Sequence, residues 1–478
     1  MSITIPKFVV RETVERAMFE QLMFKQSKNT ARHVPFTMTP VPIKRELFTH
    51  LTSTVGLFGK LLSSISEDYD FIKQSIEPVA QSDPFFRALL NMYEDIHAPS
   101  AEVLRTPLLI LRTDFMDDEV NGPQIIEFNG IAAGMGPFGQ KVHQLHDFVR
   151  EQYSQLDDIR NAFSHGQLLE NNAIKNLASG ISQVAHELCF ESGESRTPVF
   201  LTVIQEDEDN IFDQFLLESE LRRMGVKTVR RTFRELHDQL STGEDHRLHL
   251  QGIGHIDVVY FRAGYQCSDY VAHDLDEQSC CESLMKTRVF IEKHKVAVSA
   301  TVSQHLAASK RVQMLLTQMG ESELARFSLS PEESKQLLSV VGEMRPVDKD
   351  SVNVIASGST EKWVLKNQGE GGGHCLFGGD IEAKLKQLTE EDYSAWALME
   401  RLYPKSRANP VATIKDGECV TVPHMISEIG MFTIHRRGEP LSSNNGYAGY
   451  LVRSKPSDAL EGGVHSGLGV LDSLIAID

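Results

Sequence analysis

Cysteine is scarce in this sequence, six in 478 residues. Cys189, Cys267, Cys280, Cys281, Cys375 and Cys419 show no zinc-ribbon spacing and are too sparse for a disulfide framework. A reducing, cytoplasmic setting is therefore expected, with secretion left open should a leader have been removed. Positive charge is short too: 48 Lys and Arg against 66 Asp and Glu leave a formal charge of -18, which repels nucleic acid and anionic membrane surfaces. Neither partner is expected. No run approaches the roughly 20 apolar residues that span a bilayer, and Met1-Ser-Ile-Thr-Ile-Pro-Lys7 lacks the apolar core of a signal peptide. Internal repeats, heptads and low-complexity tracts are missing as well, which excludes solenoids and coiled coils.

What is present is enough apolar sequence, 41%, for several packed units at roughly 100–200 residues each. Residues 1–105 read as a helical scaffold, with Val14, Met18 and Leu22 repeating at i+4 and Leu47 and Leu51 continuing the pattern. From 106 to 198 the texture turns to strands, Leu108–Arg112 and Gln124–Glu127, followed by a helical pattern through His143 to Tyr153. Residues 199–309 alternate strand and helix (strand 199–204, helix 212–224, strands 226–232 and 257–261), the pattern of an inserted parallel-sheet domain. Residues 310–478 carry strands at 363–366, 397–400 and 425–428 between glycine-rich loops. The predicted class is α/β (α+β).

Lys366-Asn-Gln-Gly-Glu-Gly-Gly-Gly-His-Cys-Leu-Phe-Gly378 sets a lysine at a strand end before three glycines and a carboxylate. A backbone without side chains can approach phosphate oxygens closely, and Lys366 and Glu370 would add a cation and a magnesium ligand. No Gly-Lys-Ser/Thr follows, so this is not a Walker A loop, and a flexible surface loop is the plain alternative. Arg453-Ser-Lys-Pro-Ser-Asp-Ala-Leu-Glu-Gly-Gly-Val-His-Ser-Gly467 pairs two cations with more glycine; it is either a second lid over a nucleotide or a solvated loop. Glu127 and Asn129, at i and i+2 of a strand, share one face and offer hard oxygen ligands, although a polar strand edge or helix cap would look the same. A rival lies in Gly134-Met-Gly-Pro-Phe-Gly139, which matches the dinucleotide fingerprint between a strand and a helix, with Asp157 and Asp158 downstream. That reading explains neither glycine-rich loop. His143 and His146 lack the Glu of a zincin, and Arg222-Arg223 and Arg230-Arg231 read as solvated faces.

Seven ordered segments carry a family likeness: Leu111–Met116, Ile126–Asn129, Glu208–Gln214, Tyr260–Tyr265, Lys366–Gly373, Ile426–Gly430 and Leu451–Lys455. Together they resemble eukaryotic-type glutathione synthetase from about residue 105 to the C-terminus. The resemblance implies an ATP-grasp fold, a homodimer, and ATP-dependent ligation of γ-glutamylcysteine to glycine. It implies Mg²⁺ on Glu127, Asn129 and Glu370, and ATP held by Lys310, Lys366, Met399, Glu400, Glu428 and Lys455 beneath Gly371, Gly372 and Gly373. It puts Arg112, Asn210, Gln214, Arg262, Tyr265 and Arg453 on the dipeptide, with Val464 and His465 at the acceptor. Arg112, Arg453 and Lys366 would stabilise charge in the transition state.

The departures gather at the substrate end. Ala132 and Gly134 stand where the family usually has serines. Gly369 replaces an arginine, His374-Cys375 a pair of asparagines, Phe377 a tyrosine, and His465-Ser466 a pair of alanines that frame the acceptor. Two readings of different class follow. One is a working ligase for a γ-glutamyl dipeptide with an altered donor or acceptor. The other is a diverged paralogue that keeps the nucleotide shell and acts as a binding or effector protein with weak or no ligation.

Overall fold

The computed structural model describes residues 5–98, 103–164, 166–275, 280–369, 375–465 and 467–478. The organising element is the strand Thr106–Asp118, because its two faces do different work. Leu109, Leu111 and Phe115 face a core capped by the helix Arg45–Ser66, whose Leu51, Val55, Phe58, Leu62 and Ile65 recur at helical spacing. Leu108 and Ile110, on the other face, meet Val142, Leu145, Leu177 and Ile181 of the helices Gly136–Tyr153 and Ala173–Glu191. That second face then turns polar at Arg112 and Asp114, where the helices no longer cover it.

Thr106–Asp118 pairs antiparallel with Met425–Arg436, which pairs in turn with Tyr447–Pro456. On its other edge it forms a hairpin with Gly122–Asn129 and, at Thr106 and Pro107, runs parallel to Ala297–Ser299. The parallel strands Val258–Phe261, Val199–Ile204 and Lys227–Thr232 continue from there, so they and the antiparallel strands form one continuous sheet. Val199–Ile204 is buried along almost its whole length, as a strand covered on both faces must be. A separate four-stranded sheet, in the order Met344–Pro346, Trp396–Glu400, Trp363–Asn367, Cys375–Phe377, is built around its own core of Val347, Ile355, Trp363, Leu365, Ile381, Leu385 and Leu398.

The α/β class holds. The helical reading of the first hundred residues needs one correction. The helices Lys7–Phe19, Arg45–Ser66, Tyr69–Ser82 and Pro84–Ile96 are there, but residues 23–44 form short strands. Val41–Lys44 lies parallel to Leu474–Ile477, so the C-terminus supplies the partner that local periodicity could not reveal. The cysteine reading also needs correction, because Cys267 and Cys280 form a disulfide with Cα atoms 4.6 Å apart. Among the described residues no helix is long and apolar enough to cross a membrane.

His146 ties these layers together. Its Nε2 donates to the Thr37 carbonyl at 2.7 Å and its Nδ1 accepts from Ser473 Oγ at 2.6 Å, with the ring fully buried. Burial lowers its pKa from 6.5 to about 3. Between those values the unfolded chain takes up a proton that the folded chain refuses, so stability falls as pH falls, by about 1.4 kcal/mol per pH unit for this one group. Burial lowers the His305 and His435 pKa values too, so chemical denaturation between about pH 6.5 and pH 4 should show a slope to which all three contribute, and His146→Gln should make it shallower.

Candidate active site

Antiparallel pairing places directly opposed residues on the same face. Arg112 lies opposite Asn129 and Asp114 opposite Glu127, while Asp114 also faces Gly430 and Glu428 faces Arg453. Six polar residues on four strands are thus gathered on one patch of sheet. At its centre Asp114, fully buried, takes both prongs of the Arg112 guanidinium (Nε 2.7 Å, Nη2 2.8 Å), the Asn129 amide at 3.0 Å and Arg453 Nη2 at 2.9 Å. Arg453 also donates to Glu428. Gly430 leaves room for this network, since a Cβ there would sit 2.7 Å from Asp114 Oδ1 and 2.8 Å from Arg112 Cδ.

Glu127 meets Lys310 Nζ at 3.2 Å. Burial alone would raise its pKa, but the charges of Lys310, Lys366, Arg453 and Arg112 prevail and hold it well below the usual carboxylate range. It stays ionised at any physiological pH. Asn129 spends its amide on Asp114, which leaves its carbonyl oxygen for a ligand. An ionised carboxylate and an amide oxygen on one face suit Mg²⁺, which takes few protein ligands. The third expected ligand, Glu370, lies outside the described residues, as do Gly371, Gly372, Gly373, His374 and Ser466.

Above this patch opens a cavity of about 1050 Å³. One wall comes from the four-stranded sheet, with Lys366, Met399 and Glu400; Lys366 donates to the Ile126 carbonyl at 3.0 Å and so reaches the hairpin that bears Glu127. Lys455 reaches the cavity from the strand Tyr447–Pro456, its Nζ on the Leu460 carbonyl at 2.7 Å, and burial lowers its pKa. The opposite wall holds Asn210, Arg262 and Tyr265, with Val464 and His465 along one rim. His465 stacks on Phe24, ring centroids 4.2 Å apart, and its Nδ1 lies 3.3 Å from Asp209 Oδ2. Gln214 does not line the cavity; it is buried behind the wall with its carbonyl oxygen taken by Arg230.

Three buried polar atoms on that side have no hydrogen-bond partner among the described residues: Asn210 Oδ1, Gln214 Nε2 and Arg262 Nε. Gln214 Nε2 lies behind the wall, which leaves the acceptor Asn210 Oδ1 and the donor Arg262 Nε to a ligand in the cavity, the complement of one carrying both an amine and a carboxylate.

The dinucleotide rival fails on geometry. The helix Gly136–Tyr153 does begin at the glycine motif, but the Asp213 carboxylate accepts the backbone N–H groups of Met135 (2.9 Å) and Phe138 (3.1 Å). The place a pyrophosphate would take at that helix N-terminus is filled by the protein's own carboxylate. His143 and His146 make no metal pair, for His146 is consumed in the core. Among the described residues no cluster of His, Cys, Asp or Glu is arranged to hold a metal on its own.

Asp114 is the residue that sequence reasoning passed over. It stands in the segment Leu111–Met116, two positions after Arg112, and the same-face rule that linked Glu127 to Asn129 applies to it equally.

The comparisons with known proteins bear on this geometry. Residues 9–476 match the family model for eukaryotic glutathione synthase, ATP binding domain. The glutathione synthetase of Homo sapiens is 28% identical over 97% of this chain and 96% of its own, and the chloroplastic glutathione synthetase of Solanum lycopersicum is 29% identical over 93% and 78%. A solved structure of a glutathione synthetase like-effector from Globodera pallida, in apoform, has a TM-score of 0.72 at 16% identity, covering 99% of this chain and 98% of that one. That last likeness is one of fold.

Asp114→Asn keeps the shape of the carboxylate and removes its charge, so Arg112 and Arg453 lose their common anchor. ATP turnover in the presence of substrate should fall by roughly 100-fold. ADP release measured beside a melting curve checks this; a variant that melts as the parent does and turns over at the parental rate would show that the carboxylate has no such role.

Proposed function

The chain belongs to the eukaryotic glutathione synthase family, and on that premise we propose that it is an ATP- and Mg²⁺-dependent carbon–nitrogen ligase that joins a γ-glutamyl dipeptide to glycine or a similar small amino acid. The observation that carries the donor class is a pair of buried atoms in residues that line the cavity, the acceptor Asn210 Oδ1 and the donor Arg262 Nε, neither with a partner among the described residues. A buried polar atom without a partner costs about 1–3 kcal/mol. An amino-acid head, ammonium and carboxylate together, relieves this acceptor and this donor at once.

Chemistry follows from where the charges lie. Lys366 and Lys455 bring cations to the side of the cavity formed with the four-stranded sheet, which suits the phosphates of ATP. Arg112 and Arg453, fixed by Asp114, line the cavity and would meet the donor's free carboxylate as it approaches the γ-phosphate. The carboxylate oxygen attacks phosphorus, ADP leaves, and the acceptor amine then displaces phosphate from the acyl phosphate, losing a proton as the amide forms. No side chain need be acylated, and the work of the site is positioning and charge neutralisation. Glu127 and Asn129, with Glu370, would hold Mg²⁺, which when bound offsets the phosphate charge.

A second reading, a binding protein with little ligation, is favoured by the turn at 132–134. Its three carbonyls are already engaged, by Arg262, Tyr260 and Arg112 in order, and it offers a substrate no hydroxyl.

Incubation with Mg-ATP, γ-glutamylcysteine and glycine, β-alanine, serine, alanine or no acceptor separates these readings. We expect ADP release that depends on the dipeptide, with a tripeptide product found by mass. ATP binding without ADP release under any donor would remove the ligase reading and leave the binding protein.

A further inference from the structure

The turn 132–135 lies between the sheet patch and the donor wall, and the carbonyls of residues 132–134 are each met by a side chain of the protein. Arg262 donates to the Ala132 carbonyl, Tyr260 Oη to the Ala133 carbonyl at 3.2 Å, and Arg112 Nη1 to the Gly134 carbonyl at 3.2 Å. The Met135 N–H is taken by Asp213. Each of these three carbonyls is therefore already accepting a hydrogen bond from the protein. What it does hold at that place is a guanidinium: Arg262 is 8% exposed, lines the cavity, and has an unpaired Nε.

Gly134 is what allows this. A Cβ at that position would stand 2.5 Å from Arg262 Nη2, 2.7 Å from Nη1 and 3.0 Å from Cζ, and these are its three nearest atoms. Real Cβ contacts do not come under 3.0 Å. Since the obstruction is the far end of a flexible side chain, any residue larger than glycine would displace Arg262 and leave the turn itself standing. Gly134 has no left-handed backbone to protect either, in contrast to its neighbours Ala132 and Met135, which have φ of 51° and 69°.

We propose that Gly134 is a specificity-determining residue: by having no side chain it seats the Arg262 guanidinium against the turn, and so makes this part of the donor subsite one that only donates hydrogen bonds. A group that only accepts, a carboxylate above all, fits there, and a neutral amide in its place does not. A side chain carrying a hydroxyl at 134 would both push Arg262 away and restore an acceptor. This inference rests on the donor being a γ-glutamyl dipeptide, as argued above.

The test uses the full-length protein and calorimetric binding of γ-glutamylcysteine and of its glutamyl α-amide, with nucleotide binding measured separately. The parent should bind the amide at least tenfold more weakly than the acid, as sites built around a charged pairing do. Gly134→Ala and Gly134→Ser should weaken γ-glutamylcysteine about tenfold and shrink the preference for the acid, while nucleotide affinity and the melting temperature hold. On an Arg262→Met background the same changes at 134 should add nothing, because the displaced group is already gone. Unchanged acid binding and preference in Gly134→Ala, or effects of the two positions that simply add, overturn the proposal while the ligase reading stands. A parent protein that binds neither dipeptide overturns both.

Discussion

A single buried carboxylate sets the geometry of this site. Asp114 has no solvent and four charged or polar donors converge on it from three strands, so its position fixes theirs. Two guanidinium groups this close repel one another, and only an anion between them lets both stay on the same patch. That constraint reaches outward. Gly430 must lack a side chain, Arg453 must lie beside Glu428, and Asn129 must turn its amide inward and its carbonyl out. The cluster closes only because the strands pair Arg112 with Asn129, Asp114 with Glu127 and Gly430, and Glu428 with Arg453.

Much of the architecture was legible in the sequence where periodicity is local. The strands at 199–204, 363–366 and 397–400 and the helix at 212–224 are found within a residue or two, because runs of Val, Ile and Leu between turn residues need no distant information. In the segment 23–44, Met23–Lys25 and Ala31–His33 form a short N-terminal hairpin, but Phe36–Thr37 and Val41–Lys44 were not legible, because they are completed by residues near 413 and 474. The disulfide between Cys267 and Cys280 was hidden because six scattered cysteines carry no pairing signal. Gly134-Met-Gly-Pro-Phe-Gly139 shows the opposite case, a motif present letter for letter with its anion already supplied by Asp213.

For the site itself, the sequence indicated residue types and the structure supplied their company. Glu127, Asn129, Arg112, Arg453, Lys366 and Lys455 come to one cavity from segments as far apart as 112 and 455. Lys310 reaches it through Glu127, and Gln214 stands behind its wall. His465 is held by Phe24 and Asp209, from the N-terminal hairpin and the loop before the helix Ile211–Arg223, and neither contact could be inferred from its own neighbours.

The separate four-stranded sheet bears on how the cavity can open. The strands carrying Arg112, Glu127 and Arg453, and the strand Val258–Phe261 that Arg262 follows, belong to one hydrogen-bonded sheet and cannot swing apart without breaking its ladder. The sheet carrying Lys366 and Met399 has a core of its own. It meets the rest through polar links such as Tyr403 N–H on Asp118, Lys405 on Asp117 and Ser394 on the Pro78 carbonyl, and through the packing of Met314 against Met344, Ala397 and Met399. It is the jaw of a vice whose other jaw is bolted down: any widening of the cavity would fall on these few links, the Met314 contact among them, while the ladder of the large sheet and the core of the small one would be untouched.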